Sequence, residues 1–143
     1  MSKHGFNSDE RPVVTYVQDP ELAYIIQRYR ETHDAIHTLL GFSTSVEEEI
    51  AVKWFEMNEL GLPSAALGSF FGPLALVRKG IMKGGDFKSL GNLQVFISHI
   101  LKCIEKKKNK DGTEFFMNIY FEKEFETDVN DLRERLGVIQ FDK

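Results

Sequence analysis

The sequence predicts a mainly α fold: a small helical domain built on an antiparallel helix hairpin. Apolar residues recur at helical spacing along several stretches, first Leu22, Ile25, Ile26, Tyr29, Ile36 and Leu40. Start and stop signals bracket those stretches, with Asp19-Pro20-Glu21 before the first and Gly41 after it. Only Phe42-Ser43-Thr44-Ser45 separates the first two helices, and so short a connector makes them antiparallel neighbours.

Each element follows from local chemistry. Residues 1–18 lack a helical pattern and read as a flexible, solvated arm with a short extended piece at Val13–Val17. The first helix is expected from about Pro20 to Leu40, with Gly41 as its stop. Thr44 or Ser45 caps the second, with Glu47 or Glu48 placed for a capping box. That helix carries Val46, Ile50, Trp54 and Met57 on one face and ends near Gly61-Leu62-Pro63. Leu60–Val77 is uncharged and nearly long enough to span a membrane, but Gly61, Pro63, Gly68, Gly72 and Pro73 interrupt it. It reads as a buried helix with an irregular end, the alternative being a membrane-touching or lipid-lined segment, and Gly68 and Gly72 are spaced for close helix approach. Leu93–Lys107 is amphipathic, with Val95, Phe96, Ile100, Leu101 and Ile104 as its apolar face. Lys106–Lys110 reads as a solvated cap on the negative end of that helix, and Asp111-Gly112 as a turn. The aromatic stretch Phe115–Phe125 carries no clear period. Thr127 or Asp128 opens a last short helix, Val129 to Leu136, closed by Gly137.

Bulk properties narrow the function. A chain of 143 residues supports one domain with a real core. A net charge of -4 argues against a general nucleic-acid binder, which needs excess Lys and Arg to neutralise phosphates. The single cysteine, Cys103, offers neither a disulfide partner nor a thiolate cluster, so any metal must be held by nitrogen and oxygen. Cys103 itself reads as a small buried apolar group. The N-terminus has neither the apolar core of a secretory signal nor the acid-free, Arg- and Ser-rich pattern of a mitochondrial presequence. Taken alone, it points to the cytosol or to an incomplete chain.

One constellation carries chemistry. His33 and His37 lie four residues apart, on one helix face, with both rings able to reach one point. Paired histidines hold zinc in this geometry. Asp34, about a hundred degrees round the helix, serves either as a ligand or as an outer acceptor that fixes an imidazole tautomer. An acid early on the second helix lies near His37 in an antiparallel hairpin, and Glu47, Glu48 and Glu49 all qualify, two of them as a solvated helix start. Such a mixed set suits Zn²⁺, with Fe²⁺, Mn²⁺ or Co²⁺ as alternatives. Other polar residues fit ordinary roles. His4 falls in the arm, His99 on a separate amphipathic stretch, and Lys53 one turn after Glu49 as a salt-bridge partner. Arg28 and Arg30 are placed to pair with Glu31 or with a substrate carboxylate.

At these residues the chain resembles a known family. The stretch DPELAYIIQRYRETHDAIHTLLGFSTSVEEEIAVKWFEMNELGLPSAALGSFFGPL closely resembles the fourth protein of the ubiquinone (coenzyme Q) biosynthesis series. That family carries His-Asp-x-x-His and, after eleven intervening residues, Glu; the spacing here runs from His37 to Glu49, so the resemblance selects Glu49. The likeness returns more weakly at MNIYFEKEFETDVNDLRERLGV.

The resemblance implies a mostly helical fold with a zinc-type site at His33, Asp34, His37 and Glu49. It implies a peripheral protein on the matrix side of the mitochondrial inner membrane, partnered by other ubiquinone-biosynthesis enzymes and the membrane surface; the apolar helices also suit a homodimer. The implied activity is metal-dependent decarboxylation of 4-hydroxy-3-methoxy-5-polyprenylbenzoate at ring carbon 1. The alternative is a non-catalytic, lipid-binding scaffold with a structural metal. Replacement of the carboxylate by hydroxyl would favour a redox-active metal over zinc. A catalytic site is expected to open onto a cavity lined by the Leu60–Val77 run, which would take the polyprenyl tail. Three departures stand out. The chain is expected to be shortened at its N-terminus. Ser43 stands where a proline is common. Leu90–Gly112 lacks the Pro-Trp-containing segment of the family, which leaves the packing of the C-terminal part open.

Overall fold

Asp19 accepts hydrogen bonds from the backbone N–H groups of Glu21 (2.9 Å) and Leu22 (3.1 Å), and this cap opens the first helix. A computed structural model describes residues 13–110 and 114–141. Its helices are α1 (Pro20–Leu40), α2 (Val46–Leu60), α3 (Pro63–Met82), α4 (Lys88–Lys108) and α5 (Val129–Leu136), with two short 3₁₀ turns, Phe116–Asn118 and Phe121–Lys123, in the aromatic stretch. Among the described residues there is no strand, so the expected mainly α class holds. The extended piece expected at Val13–Val17 forms no strand, and Val14 is buried. Residues 1–12 of the expected arm, and the Asp111-Gly112 turn, lie outside the described residues.

Gly41 takes φ 73° at the end of α1, and Ser45 caps α2. The cap is a variant of the expected box: Ser45 Oγ accepts from the N–H of Glu48 (3.3 Å) and donates to its carboxylate (2.9 Å). Cross-links pair Tyr29 with Glu56, His33 with both Glu49 and Glu56, and His37 with Glu49, so positions rise along α1 as they fall along α2. That register is antiparallel, and it places the first turns of α1 beyond the end of α2. Leu22 and Ile25, expected on the apolar face, are therefore exposed. The seam between α1 and α2 is bridged by long polar side chains rather than by close backbone approach.

Helix α2 is central, packed against both α3 and α4. Ala51, Val52 and Phe55 enter the main core with Ile36, Leu39 and Leu40 of α1, Ile100, Cys103 and Ile104 of α4, and Phe116, Leu132 and Leu136. Ile50 joins Leu76 and Leu93 in a second cluster backed by Trp54. The one-faced expectation for α2 thus fails: the helix has neighbours on two sides, and Val46 is exposed. Glu48, expected in a solvated helix start, is buried and accepts hydrogen bonds from the hydroxyls of Ser43 and Ser45.

Helix α3 departs most from expectation. It runs unbroken through Pro73 and past Val77, and it is not a buried helix. Leu67, Phe70, Phe71, Leu74, Ile81 and Met82 are exposed, while Ala65, Ser69 and Leu76 are buried. The glycines explain why one face docks closely. A Cβ at Gly72 would stand 2.5 Å from Ile50 Cγ1, and one at Gly68 would stand 3.1 Å from Lys53 Cγ. Trp54 Nε1–H completes the seam by donating to the Ser69 carbonyl (3.1 Å). No described helix is long and apolar enough to cross a membrane.

On α4 the buried face is Leu93, Ile100, Cys103 and Ile104, whereas Val95 and Leu101, assigned inward from sequence, face out. Positions 93, 100, 103 and 104 share one side of a 3.6-residue helix, and 95 and 101 fall off it. The stretch that departs from the family pattern thus still places Leu93, Ile100, Cys103 and Ile104 in the packed clusters. Lys107 corrects the solvated reading of its run: it pairs with Glu59 and lies 4.6 Å from the Phe116 ring centre. At the C-terminal end Arg133 reaches back to the last turn of α1, donating to the carbonyls of Leu39 (2.8 Å) and Thr38 (3.0 Å). The last carbonyls of a helix lack full intrahelical pairing, here the Thr38 carbonyl otherwise taking only the Gly41 cap N–H (3.3 Å), and a guanidinium also favours the negative dipole end.

Candidate metal centre

His33 and His37 stand one turn apart on the face of α1 that meets α2, their ring centres 4.8 Å apart and nearly perpendicular. The Gly41 stop and the Ser45 cap reverse the chain tightly enough to bring Glu49 opposite both. His37 Nε2 lies 3.0 Å from Glu49 Oε2, and His33 Nε2 lies 3.3 Å from Glu49 Oε1. One ligand atom from each of the three residues can be chosen so that all lie within 4.8 Å of one another.

The far sides of both rings are engaged as well. His37 Nδ1–H donates to the Ser43 carbonyl (3.0 Å), because a carbonyl can only accept. His33 Nδ1 lies 2.7 Å from Glu56 Oε1. Both Nε2 atoms are thereby turned toward the Glu49 carboxylate. Lone pairs facing a carboxylate at these distances need a cation between them, either a proton or a metal. With Zn–N and Zn–O bonds of about 2.0–2.2 Å, tetrahedral ligand atoms sit about 3.3–3.6 Å apart, and the observed Nε2–oxygen separations are close to that range. The residues present fit a divalent ion.

Behind the three residues lies a buried polar layer. Glu56 is fully buried, yet its Oε2 accepts from Tyr29 Oη (2.8 Å) and from Lys53 Nζ (2.8 Å). Lys53 also donates to Tyr29 Oη (3.0 Å) and lies 3.8 Å from Glu49, so its principal partner is Glu56 rather than the Glu49 expected from sequence. Burial opposes a charge on Glu56, but hydrogen bonds from His33 and Lys53 outweigh it and hold the carboxyl below its ordinary value. Burial likewise opposes a charge on His33, yet its bonds to Glu49 and Glu56 raise it to about 9. The Glu49 carboxyl is held well below the usual carboxylate range by His33 and then His37. Burial pushes the Tyr29 hydroxyl up.

Three of the four residues expected from sequence, His33, His37 and Glu49, thus come together. Asp34 is exposed and lies outside their group. The outer-acceptor role that sequence offered to Asp34 is filled for His33 by Glu56. Sequence reasoning missed Glu56, although a signal was present. Glu49, Lys53 and Glu56 recur at i, i+4 and i+7, facing Tyr29, His33 and His37 at i, i+4 and i+8. The remaining candidates lie elsewhere. His99 bonds the Ile139 carbonyl (2.9 Å). Arg28 pairs with Glu31 and Glu122 and also bonds the Ile119 carbonyl. His4 lies outside the described residues. An open groove of about 890 Å³ runs along α3, lined by Phe71, Leu74, Ala75, Arg78, Lys79, Met82 and Lys83. None of the three clustered residues lines it.

Comparison with known proteins adds the family. The family described as "Coenzyme Q (ubiquinone) biosynthesis protein Coq4" matches residues 1–142, which include the divergent 90–112 stretch. The chain is 43% identical over 139 residues to "Ubiquinone biosynthesis protein COQ4 homolog 2, mitochondrial" of Paramecium tetraurelia, covering 97% of this chain and 59% of that protein. To "Ubiquinone biosynthesis protein COQ4 homolog, mitochondrial" of Homo sapiens it is 41% identical over 130 residues, covering 91% of this chain and 44% of the other. To "Ubiquinone biosynthesis protein coq4, mitochondrial" of Schizosaccharomyces japonicus it is 35% identical over 140 residues, covering 98% and 53%. The chain spans about half the length of these relatives. No solved structure matches. With the family matched over nearly its whole length, the chain belongs to the coenzyme Q (ubiquinone) biosynthesis protein Coq4 family.

Proposed function

We propose that this chain acts in ubiquinone biosynthesis as a metal-dependent carboxy-lyase, releasing the ring carboxylate of 4-hydroxy-3-methoxy-5-polyprenylbenzoate as carbon dioxide. One observation carries the reading: two Nε2 atoms and a carboxylate converge on one point, with both Nδ1 atoms already committed elsewhere. His33, His37 and Glu49 would hold the ion, whereas Asp34, which the resemblance adds to the set, is exposed and lies outside their group. When bound, Zn²⁺ (or Fe²⁺, Mn²⁺ or Co²⁺) supplies Lewis acidity toward substrate oxygens. The reaction exchanges the carboxylate carbon for a proton at the same ring position, so an acid at the site or water must deliver that proton. The Glu49 side chain is 41% exposed, which leaves the centre reachable from solvent. A structural zinc is commonly closed by four protein ligands, and among the described residues three cluster, which favours a catalytic site.

The outer face of α3 supports the membrane part of the reading. Phe70 and Phe71 are 67% and 62% exposed, and Arg78, Lys79 and Lys83 follow them along the α3 groove. Apolar side chains beside cations suit an anionic lipid surface. The names of the relatives support a mitochondrial place; within it we propose the matrix side of the inner membrane, with other enzymes of the pathway and a second copy of the chain as partners. The scaffold reading draws on one observation, that the α3 groove and the three clustered residues do not share a lining. The deciding experiment is turnover of the prenylated benzoate by purified protein, with metal content measured on the same sample. Stoichiometric metal with carbon dioxide release supports the lyase; stoichiometric metal without turnover supports the scaffold.

A further inference from the structure

Burying a carboxylate completely is costly, and well-packed apolar side chains of similar volume are often at least as stabilising as a buried ion pair. Glu56 is nonetheless fully buried in the C-terminal half of α2, with three polar partners on its two oxygens. Its neighbours Val52 and Phe55 show that this stretch of α2 otherwise fills the core with apolar groups. The arrangement is directional. Oε2 is fixed by Tyr29 and Lys53, which leaves Oε1 aimed at His33 Nδ1. Lys53 is itself confined, because its stem runs against Gly68 of α3, where even a methyl group would stand 3.1 Å from Cγ.

We propose that Glu56 is a positioning residue of the metal centre: its Oε1 accepts the His33 Nδ1 proton and so sets both the ring orientation and the tautomer that presents Nε2 beside Glu49. Tyr29 and Lys53 position Glu56 in turn. Carboxylate–histidine–metal relays of this kind orient the imidazole and raise its basicity. No contact of Glu56 with the ion is involved, and the inference rests on the metal-centre reading above.

The test uses Co²⁺ and Zn²⁺ binding to the full chain, with Co²⁺ visible absorption reporting ligand geometry. Glu56→Gln keeps the shape but leaves a neutral acceptor, and its affinity is expected to fall about 10- to 100-fold with a changed Co²⁺ spectrum. Val52→Ala, a neighbouring core change, serves as the control, with both affinities compared at equal folded fraction. Its affinity and spectrum are expected to stay at the parent's values. Equal losses in the two variants, or no loss in Glu56→Gln, overturn the proposal. Should the amide variant fail to fold, Glu56→Asp retains the charge but shortens the reach, and the same loss and spectral change are expected; parent-like binding by it overturns the proposal equally. A parent chain that binds neither ion sinks the metal-centre reading itself, which is a different outcome.

Discussion

His37 Nε2 lies 3.0 Å from Glu49 Oε2, joining the last turn of α1 to the first turn of α2 across only eleven intervening residues. The contact closes the hairpin and forms one edge of the candidate centre. His37→Ala is therefore expected to abolish stoichiometric metal in purified protein, read by elemental analysis. Metal content equal to that of the parent chain would remove the central claim.

Glu49→Gln keeps the size of the side chain and removes its charge. Decarboxylation is expected to fall on the order of tenfold or more, since tenfold is only about 1.4 kcal/mol of transition-state stabilisation. The measurement is ubiquinone content in cells lacking their own family member and expressing the variant. Full restoration would reduce Glu49 to a helix-start acid.

Stability of the metal-free protein should depend on pH in a definite direction. Burial disfavours the His33 cation, but Glu49 and Glu56 raise it from 6.5 to about 9. Its stabilising effect is complete below the unfolded value of 6.5 and is lost as pH rises through about 9. Glu49 acts oppositely: with its carboxyl depressed by His33 and His37, its contribution is present above the ordinary 4.5 and disappears as pH falls through the depressed value. Thermal melts in chelator should thus peak between the ordinary carboxylate and imidazole values and decline on the alkaline side. Saturating zinc should flatten that alkaline decline, because the ion takes the place of the His33 proton. An alkaline limb identical with and without zinc would contradict this account.

The α2–α3 seam predicts a graded response to added methyl groups. Gly72→Ala places its Cβ 2.5 Å from Ile50 Cγ1, a branched side chain with little room to yield. Denaturant unfolding should show a loss of about 1–3 kcal/mol, the usual range for overpacking. Gly68→Ala meets the flexible stem of Lys53 at 3.1 Å and should lose less. The reverse order would show that the seam is not packed as described.

The exposed face of α3 predicts membrane binding that is separable from folding. Replacing Phe70 and Phe71 by Ser should lower co-sedimentation with anionic vesicles while leaving the melting temperature near that of the parent, since both rings are largely exposed. Undiminished vesicle binding would direct attention away from this face.

Much of the architecture was legible in the amino-acid order because it is encoded locally. Asp19, Gly41, Ser45, Gly61 and Gly137 mark helix ends through caps and left-handed turns that need only neighbouring residues. The His33–His37 spacing and the short connector were equally local. The resemblance to the family then chose Glu49 among three adjacent acids. Tertiary structure decided what depends on which helix faces which. It turned the outer face of α3 to solvent, gave α2 two packed sides and moved Val95 and Leu101 outward. It also buried Glu56 behind His33. Periodicity puts Glu56 on the face of Glu49 and Lys53 but not in the core, because a buried acid is stable only when another helix brings it partners. Here α1 supplies Tyr29 and His33, and Lys53 is held beside them by the close approach of α3.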